Sequence, residues 1–240
     1  MTVPTTASAP TASTPTASGP TRRARYLQLA LLVLAAGAIF PMLYLRQVYE
    51  GAMLGALSLS PLQLGKLYSL LGVTFMASYL PSGWLADRLS PRWLISFSLL
   101  ATGALGLCYA SLPGFLALQG IFAAFGLTTG LTFWAALVKR VRLLAHDDEQ
   151  GRFFGALDGG RGIIEALLAT IAIALFSWSI EHAGLDEASA FSRVITLYAA
   201  SCIALGLALG FVKDPPPPST AASAADTAAT PAAQGTLADL

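Results

Sequence analysis

Charge is the scarcest property of this sequence. Lys and Arg number 14 and Asp and Glu 13 among 240 residues, so 11 % of the chain is charged. Soluble domains carry roughly 25 %. Hydrophobic residues reach 55 %, and the mean hydropathy is +0.65. So few charges cannot cover the surface of a water-soluble globule, which argues against a cytosolic enzyme. The formal net charge of +1 gives no electrostatic case for a nucleic-acid partner.

Cysteine and histidine are equally sparse, with two of each. Cys108 and Cys202 sit inside apolar runs, as small buried thiols do. A disulfide scaffold needs more of them, and a zinc site needs clustered ligands. His146 and His182 stand alone in charged stretches. No HExxH, GxSxG or P-loop pattern occurs. Neither a catalytic residue, a cofactor nor a metal site is therefore expected. A membrane-embedded enzyme would need intramembrane metal ligands, or a nucleophile with its base.

What the chain does have is six apolar runs. Tyr26 to Leu45 is 20 residues without a charge, enough to cross about 30 Å of hydrocarbon as a helix. The second run, Leu62 to Leu85, follows Ser60-Pro61, a good N-cap and N1 pair. Residues 93–138 hold no charge and are split by Pro113-Gly114, which predicts a helical hairpin of spans three and four. Gly155 to Trp178 is the fifth run and Phe191 to Val212 the sixth. The lengths suit helices rather than the short alternating strands of a barrel. The expected fold is an all-α membrane protein of six transmembrane helices. Residues 1–23 and 215–240 are Ala-, Thr- and Pro-rich and read as disordered tails flanking a bundle at 24–214.

Basic residues set the orientation. Arg22, Arg23 and Arg25, then Arg88 and Arg92 between spans two and three, then Lys139, Arg140, Arg142 and Arg152 between spans four and five, and Lys213 all fall on one side. That is ten of fourteen. The positive-inside rule puts this side, with both termini, in the cytoplasm of a cell membrane. Four Gly-x-x-x-Gly pairs, at 51/55, 126/130, 155/159 and 206/210, are candidates for close helix packing.

The end of span two reads Gly83-Trp84-Leu85-Ala86-Asp87-Arg88-Leu89-Ser90-Pro91-Arg92. It resembles the major facilitator superfamily signature G-x-x-x-D-R-x-G-R-R/K. Gly83, Asp87, Arg88 and Arg92 match, while Ser90 and Pro91 depart from it. The resemblance covers about Ala24 to Asp214 and implies the N-terminal six-helix half of a secondary transporter. It also implies gating roles for Gly83, Asp87, Arg88 and Arg92. Glu149-Gln150-Gly151-Arg152 looks like the family's acidic loop before helix five, and Glu149 is expected to pair with Arg88 or Arg92. Asp87, at a helix C-terminus, needs cationic help, which Arg88 and Arg92 are near enough to give. A narrower similarity to the organophosphate/anion antiporter branch rests on Tyr44-Leu45-Arg46, Leu59-Ser60 and Leu64-Gly65. It implies that Arg46, Arg161, Tyr44 and Tyr79 contact a small organic anion or sugar derivative.

The residues alone point to the same places. Asp158, Arg161 and Glu165 lie within span five. Their spacings of three and seven put them on one helix face, and charges inside a span should meet a wet cavity or each other. Arg161 either binds an anion through its planar fork or is neutralised by Asp158 and Glu165. Asp158 or Glu165 is a candidate for proton coupling. Arg46 either binds solute or snorkels at the membrane edge, and Lys66 reads as a snorkelling residue. Trp134 and Trp178 read as interfacial anchors. One six-helix bundle supplies one wall of a facilitator-type pathway. A second bundle, from another copy or another chain, is thus expected beside the lipid bilayer as partner. The competing reading is a non-transporting scaffold, or a fragment of a split transporter whose Pro215–Pro218 segment is an inter-bundle loop.

Overall fold

A computed structural model describes residues 21–214. The two predicted tails lie otherwise outside the described residues. The helices are α1 (Arg22–Leu43), α2 (Arg46–Ala56), α3 (Pro61–Arg88), α4 (Pro91–Ala110), α5 (Phe115–Thr132), α6 (Trp134–Leu144), α7 (Gln150–Glu181) and α8 (Glu187–Phe211). A single 3-10 turn, Asp147–Glu149, precedes α7. α1 with α2, and α5 with α6, are each one rod bent at Tyr44 and at Phe133. Six rods result, as the sequence predicts.

Five of them are long and apolar enough to cross a membrane: Arg22–Ala56, Pro91–Ala110, Phe115–Leu144, Asp147–Glu181 and Glu187–Phe211. α3 has 28 residues but lies outside that set. Gln63, Lys66, Ser69, Thr74, Ser78 and Ser82 dilute its hydropathy. Its companion is α5, with Tyr68 and Phe122 edge to face at 5.3 Å.

Local chemistry explains the boundaries. Ser60 and Gln63 form a reciprocal capping box at α3, followed by Pro61, which satisfies two otherwise orphaned donors. Pro41 sits inside α1 and cannot donate to the turn before it, weakening the helix shortly before the bend at Tyr44. Asp186 caps α8, its carboxylate accepting from the Ser189 N–H at 3.3 Å. The hydrogen bonds from Ser189 hold that carboxyl below its ordinary pKa.

Three close helix pairs build the bundle, and glycine permits each. A Cβ on Gly126 of α5 would lie 2.0 Å from Thr74 Oγ1 and 2.6 Å from the Leu71 carbonyl of α3. A Cβ on Gly103 of α4 would lie 2.8 Å from the Ala199 carbonyl of α8, and one on Gly37 of α1 would meet Ile164 of α7 at 2.5 Å. Of the four predicted glycine pairs, 126/130 and 206/210 face a neighbour, at 2.0 Å for Gly126 and 3.0 Å for the other three. Gly51, Gly155 and Gly159 have nothing within 4 Å, and Gly55 meets only Glu187 at 4.0 Å. Spacing is therefore not contact, because those glycines point out of the bundle.

Two helices leave much of their apolar surface uncovered. α7 buries only Phe153, Leu157, Ala172 and Ser179 among its 32 residues, leaving Ile163, Leu167, Ile171 and Ile173 exposed. α3 exposes Val73, Met76, Leu80 and Trp84.

Candidate functional site

Two charged regions occupy different depths of the bundle. The first gathers where both ends of the described chain meet. Arg25 of α1 is buried; its Nε donates to the Leu144 carbonyl of α6 at 2.7 Å and its Nη2 bonds Glu149. Its guanidinium also stacks on Phe153 at 5.3 Å. One side chain thereby joins α1, α6 and the start of α7. Arg140 of α6 is fully buried. Its Nη2 donates to the Val212 carbonyl at 3.0 Å, and its Nε lies 3.4 Å from Asp214 Oδ1. Asp214 also accepts from the backbone N–H of Arg92, at the start of α4, where an anion meets the positive helix end.

These pairings correct several expectations. Glu149 pairs with Arg25 and not with Arg88 or Arg92, because its 3-10 turn packs beside the start of α1. Arg88 lies over Trp84 at 4.2 Å and Arg92 over Trp93 at 4.5 Å, so neither guanidinium serves Asp87. Lys139 instead closes the α3 C-terminus, donating from Nζ to the Ala86 carbonyl at 2.6 Å. Asp87 makes no ion pair among the described residues. Lys139, Arg140 and Arg142 belong to α6, and Arg152 to the first turn of α7, so the predicted basic loop is mostly helix. Arg25, Arg140 and Asp214 were not singled out as partners. Asp214, the first acid after the sixth run, is the available signal.

The second region lies deeper. On α7, Arg161 Nε stands 3.6 Å from Glu165 Oε1, with the side chains 29 % and 31 % exposed. The Arg161 guanidinium rests 4.7 Å from the Phe40 ring and 5.8 Å from the Trp134 ring. Phe40 and Trp134 meet edge to face at 5.7 Å. Trp134 is therefore a wall of this cradle and not a boundary anchor, whereas Trp178 near the end of α7 stays exposed. Asp158 is exposed and joins no ion pair among the described residues. The predicted triplet reduces to a pair, since Phe40 and Trp134 draw Arg161 toward α1 and α6.

Two cavities adjoin the cradle, one at Trp134 and one at Phe40, and Arg161 itself lines neither. The larger, about 710 Å3, is lined by Tyr79, Ser82, Gly83, Asp87, Trp134 and Lys139 among others. The smaller, about 90 Å3, is lined by Phe40, Tyr44, Tyr49, Glu165 and Tyr198 among others. Tyr44 stacks on Phe40 at 5.0 Å, and Tyr79 packs on Phe75 at 5.1 Å. Arg46 goes elsewhere. Its Nη2 bonds Glu50 at 3.1 Å, its backbone N–H donates to Tyr68 Oη at 3.1 Å, and its guanidinium lies 5.8 Å from the Tyr68 ring. Arg46 and Arg161 share neither a contact nor a cavity. Phe40 carried no signal in the sequence beyond its hydrophobicity.

The Major Facilitator Superfamily model matches residues 25–238. The chain belongs to that superfamily. The inner membrane protein YqcE of Escherichia coli K12 is 31 % identical over 188 residues, covering 78 % of this chain and 43 % of its own. YihN of the same strain is 33 % identical over 183 residues, covering 76 % and 42 %. The chain thus spans less than half the length of these curated relatives. A bacterial homologue of the human lysosomal transporter Spinster, solved inward-facing and unoccupied, matches with a TM-score of 0.69 at 16 % identity. That match covers 83 % of this chain and 45 % of the other, and it shows a shared fold.

Proposed function

We propose that this bundle is one wall of a secondary transporter for a small organic anion. The observation that carries the reading is Arg161. It is a partly exposed cation far inside a span, cradled by two aromatic rings beside two cavities. A purely structural arginine would be buried and bonded to another helix, as Arg140 is. Its planar fork suits a carboxylate, sulfonate or phosphate. Tyr79 and Tyr44 line the larger and smaller cavity, and Arg46 guards the end opposite the chain termini. A non-transporting scaffold has no use for such a cation.

A second six-helix bundle, from another copy or another chain, completes the pathway in this reading. It covers the exposed apolar faces of α3 and α7, and rocking between the two bundles gives alternating access. Gly83 and Asp87, open at the larger cavity, face that bundle, with Arg88 and Arg92 flanking the same turn as the gate. Both chain ends lie on the cytoplasmic side, consistent with the basic residues gathered there.

The test is uptake by the full chain in liposomes of gluconate, ethanesulfonate and glucose 6-phosphate. Wild type takes up at least one, Arg161→Ala loses it, and Arg46→Ala weakens it. Unchanged uptake in both variants removes the anion site.

A further inference from the structure

A third cavity lies away from the cradle. It holds about 280 Å3 between Leu34 and Ala38 of α1, Ile164 and Leu167 of α7, and Ser201 and Leu205 of α8 among others. The Ser201 hydroxyl already donates to the Leu197 carbonyl at 2.9 Å, so the lining side chains offer no unspent polar group. Such a space stays dry and takes hydrocarbon. Leu34 and Leu167 remain exposed at its opening. Leu167 is six residues from Arg161, which turns the two about 120° apart around α7. The groove therefore opens on a different side of α7 from the cradle.

Exposed tracks lead from this groove to the end of the bundle where Arg22, Arg23 and Arg152 gather. On α1, Arg23, Leu27, Ala30 and Leu34 share one face at helical spacing, and all four are exposed. On α7, Arg152, Ala156, Ile163 and Leu167 do the same. The small side chains of Ala30 and Ala156 leave room along both tracks. On α8, Phe211 is 85 % exposed beyond Leu205 toward the same end. From Arg23 to Leu34 the helix rises about 17 Å, a little over half of a hydrocarbon core of roughly 30 Å. The groove is thus one leaflet deep.

Its mouth is cationic. The Arg22 and Arg152 guanidiniums lie 5.8 Å and 5.9 Å from the ring of Tyr26, so α1 and α7 bring two cations to one ring. Arg22, Arg23 and Arg152 form no ion pair among the described residues. The acids of the adjoining turn do not answer them. Glu149 is bonded to Arg25, Asp147 accepts from the Gln150 amide, and Asp148 is exposed without an ion pair among the described residues. Like charges gathered in this way repel, and a bound anion relieves the repulsion.

We propose that the α1–α7–α8 groove is a site for one anionic phospholipid. Its phosphate sits between Arg23 and Arg152, and one acyl chain runs past Ala30 and Ala156 to Leu34 and Leu167. Charge complementarity at the mouth selects the headgroup, and the dry groove one leaflet below selects the chain. The lipid adds a tie between α1 and α7 beside the Arg25–Glu149 clamp. The site uses neither Arg46 nor Arg161, so it stands whatever solute the bundle carries.

The experiment places the full chain in phosphatidylcholine liposomes containing phosphatidylglycerol with a photoreactive diazirine midway along one acyl chain. Labelled peptides are mapped by mass spectrometry. Label should concentrate on the groove segments of α1, α7 and α8, and unlabelled phosphatidylglycerol should compete about tenfold better than phosphatidylcholine. Arg23→Gln/Arg152→Gln should cut the labelling about tenfold, while Arg23→Lys/Arg152→Lys keeps it, which separates lost charge from misfolding. Ala204→Phe, which fills the groove, should cut it too. Arg193→Gln, at the other end of α8, should leave it unchanged. Equal labelling by phosphatidylcholine carrying the same diazirine overturns the proposal, as does full labelling of the Gln pair. Unlabelled groove peptides, with Leu167→Cys cross-linking two copies instead, assign the groove to a second copy and overturn it as well.

Discussion

Arg140 and Arg161 are both helical arginines paired with acids, and they are built differently. Arg140 is fully buried, donates to a carbonyl, meets Asp214, and through it reaches the start of α4. Arg161 is partly exposed, has a single loose acid partner on its own helix, and lies on aromatic rings between cavities. The first ties three helices together. The second ties nothing between helices except by ring contact, so it can exchange its partner without loosening the bundle. Burial and cross-helix bonding separate a structural ion pair from one available for chemistry.

The largest effect should come from breaking the structural pair. Arg140→Ala leaves Asp214 without its cation and the Val212 carbonyl without its donor. Breaking a buried pair this way costs about 3–5 kcal/mol, and thermal unfolding of the purified protein in detergent should show it. Next comes the α3–α5 contact. Gly126→Val puts atoms where Thr74 and Leu71 already lie, and overpacking costs about 1–3 kcal/mol. Gly155→Val, with nothing within 4 Å, should leave the melting temperature unchanged within error. Equal shifts in the two variants would contradict the packing described.

The clamp at Arg25 offers a finer comparison. Arg25→Gln should cost about 1–3 kcal/mol, since a charge-assisted bond and a capped carbonyl are lost together. A double-mutant cycle of Arg25→Gln with Glu149→Gln should show coupling of at least 0.5 kcal/mol. The same cycle with Arg88→Gln should show none, since Arg88 stacks on Trp84. Coupling to Arg88 would restore the pairing expected from the loop's resemblance to the family.

How legible this was depended on the distance over which each feature is determined. The helices, the Ser60-Pro61 start and the Pro113-Gly114 break are local, and runs of hydropathy and capping residues encode them directly. The ends gathering the basic residues followed from an even count of spans. Partner choice was not local. Glu149 had several arginines available by sequence, and only the packing of α1 against α7 selects Arg25. Spacing put Asp158, Arg161 and Glu165 on one face of α7. It could not register that Phe40 and Trp134, from two other helices, draw Arg161 away from Asp158. Likewise the glycine spacing at 155/159 equals that at 126/130, but only the second pair has a helix opposite it.

The smallest stability effect is expected at the site itself. Arg161 and Glu165 sit on one helix, so replacing both removes an i,i+4 pair worth about 0.3–0.5 kcal/mol and no tie between helices. The double substitution Arg161→Gln/Glu165→Gln should therefore melt within about 1 kcal/mol of wild type, since amides keep the side-chain volume and remove two partly buried charges together. Anion uptake should nonetheless fall to background in the same preparation. The corresponding Arg140→Gln/Asp214→Asn variant should reverse the balance. It loses the links from α6 to the end of α8 and the start of α4, so stability should fall by more than in the first pair, while protein that remains folded keeps its uptake. If the Arg161 pair proved the costlier to remove, its looseness would be structural slack and the division between the two arginines would fail.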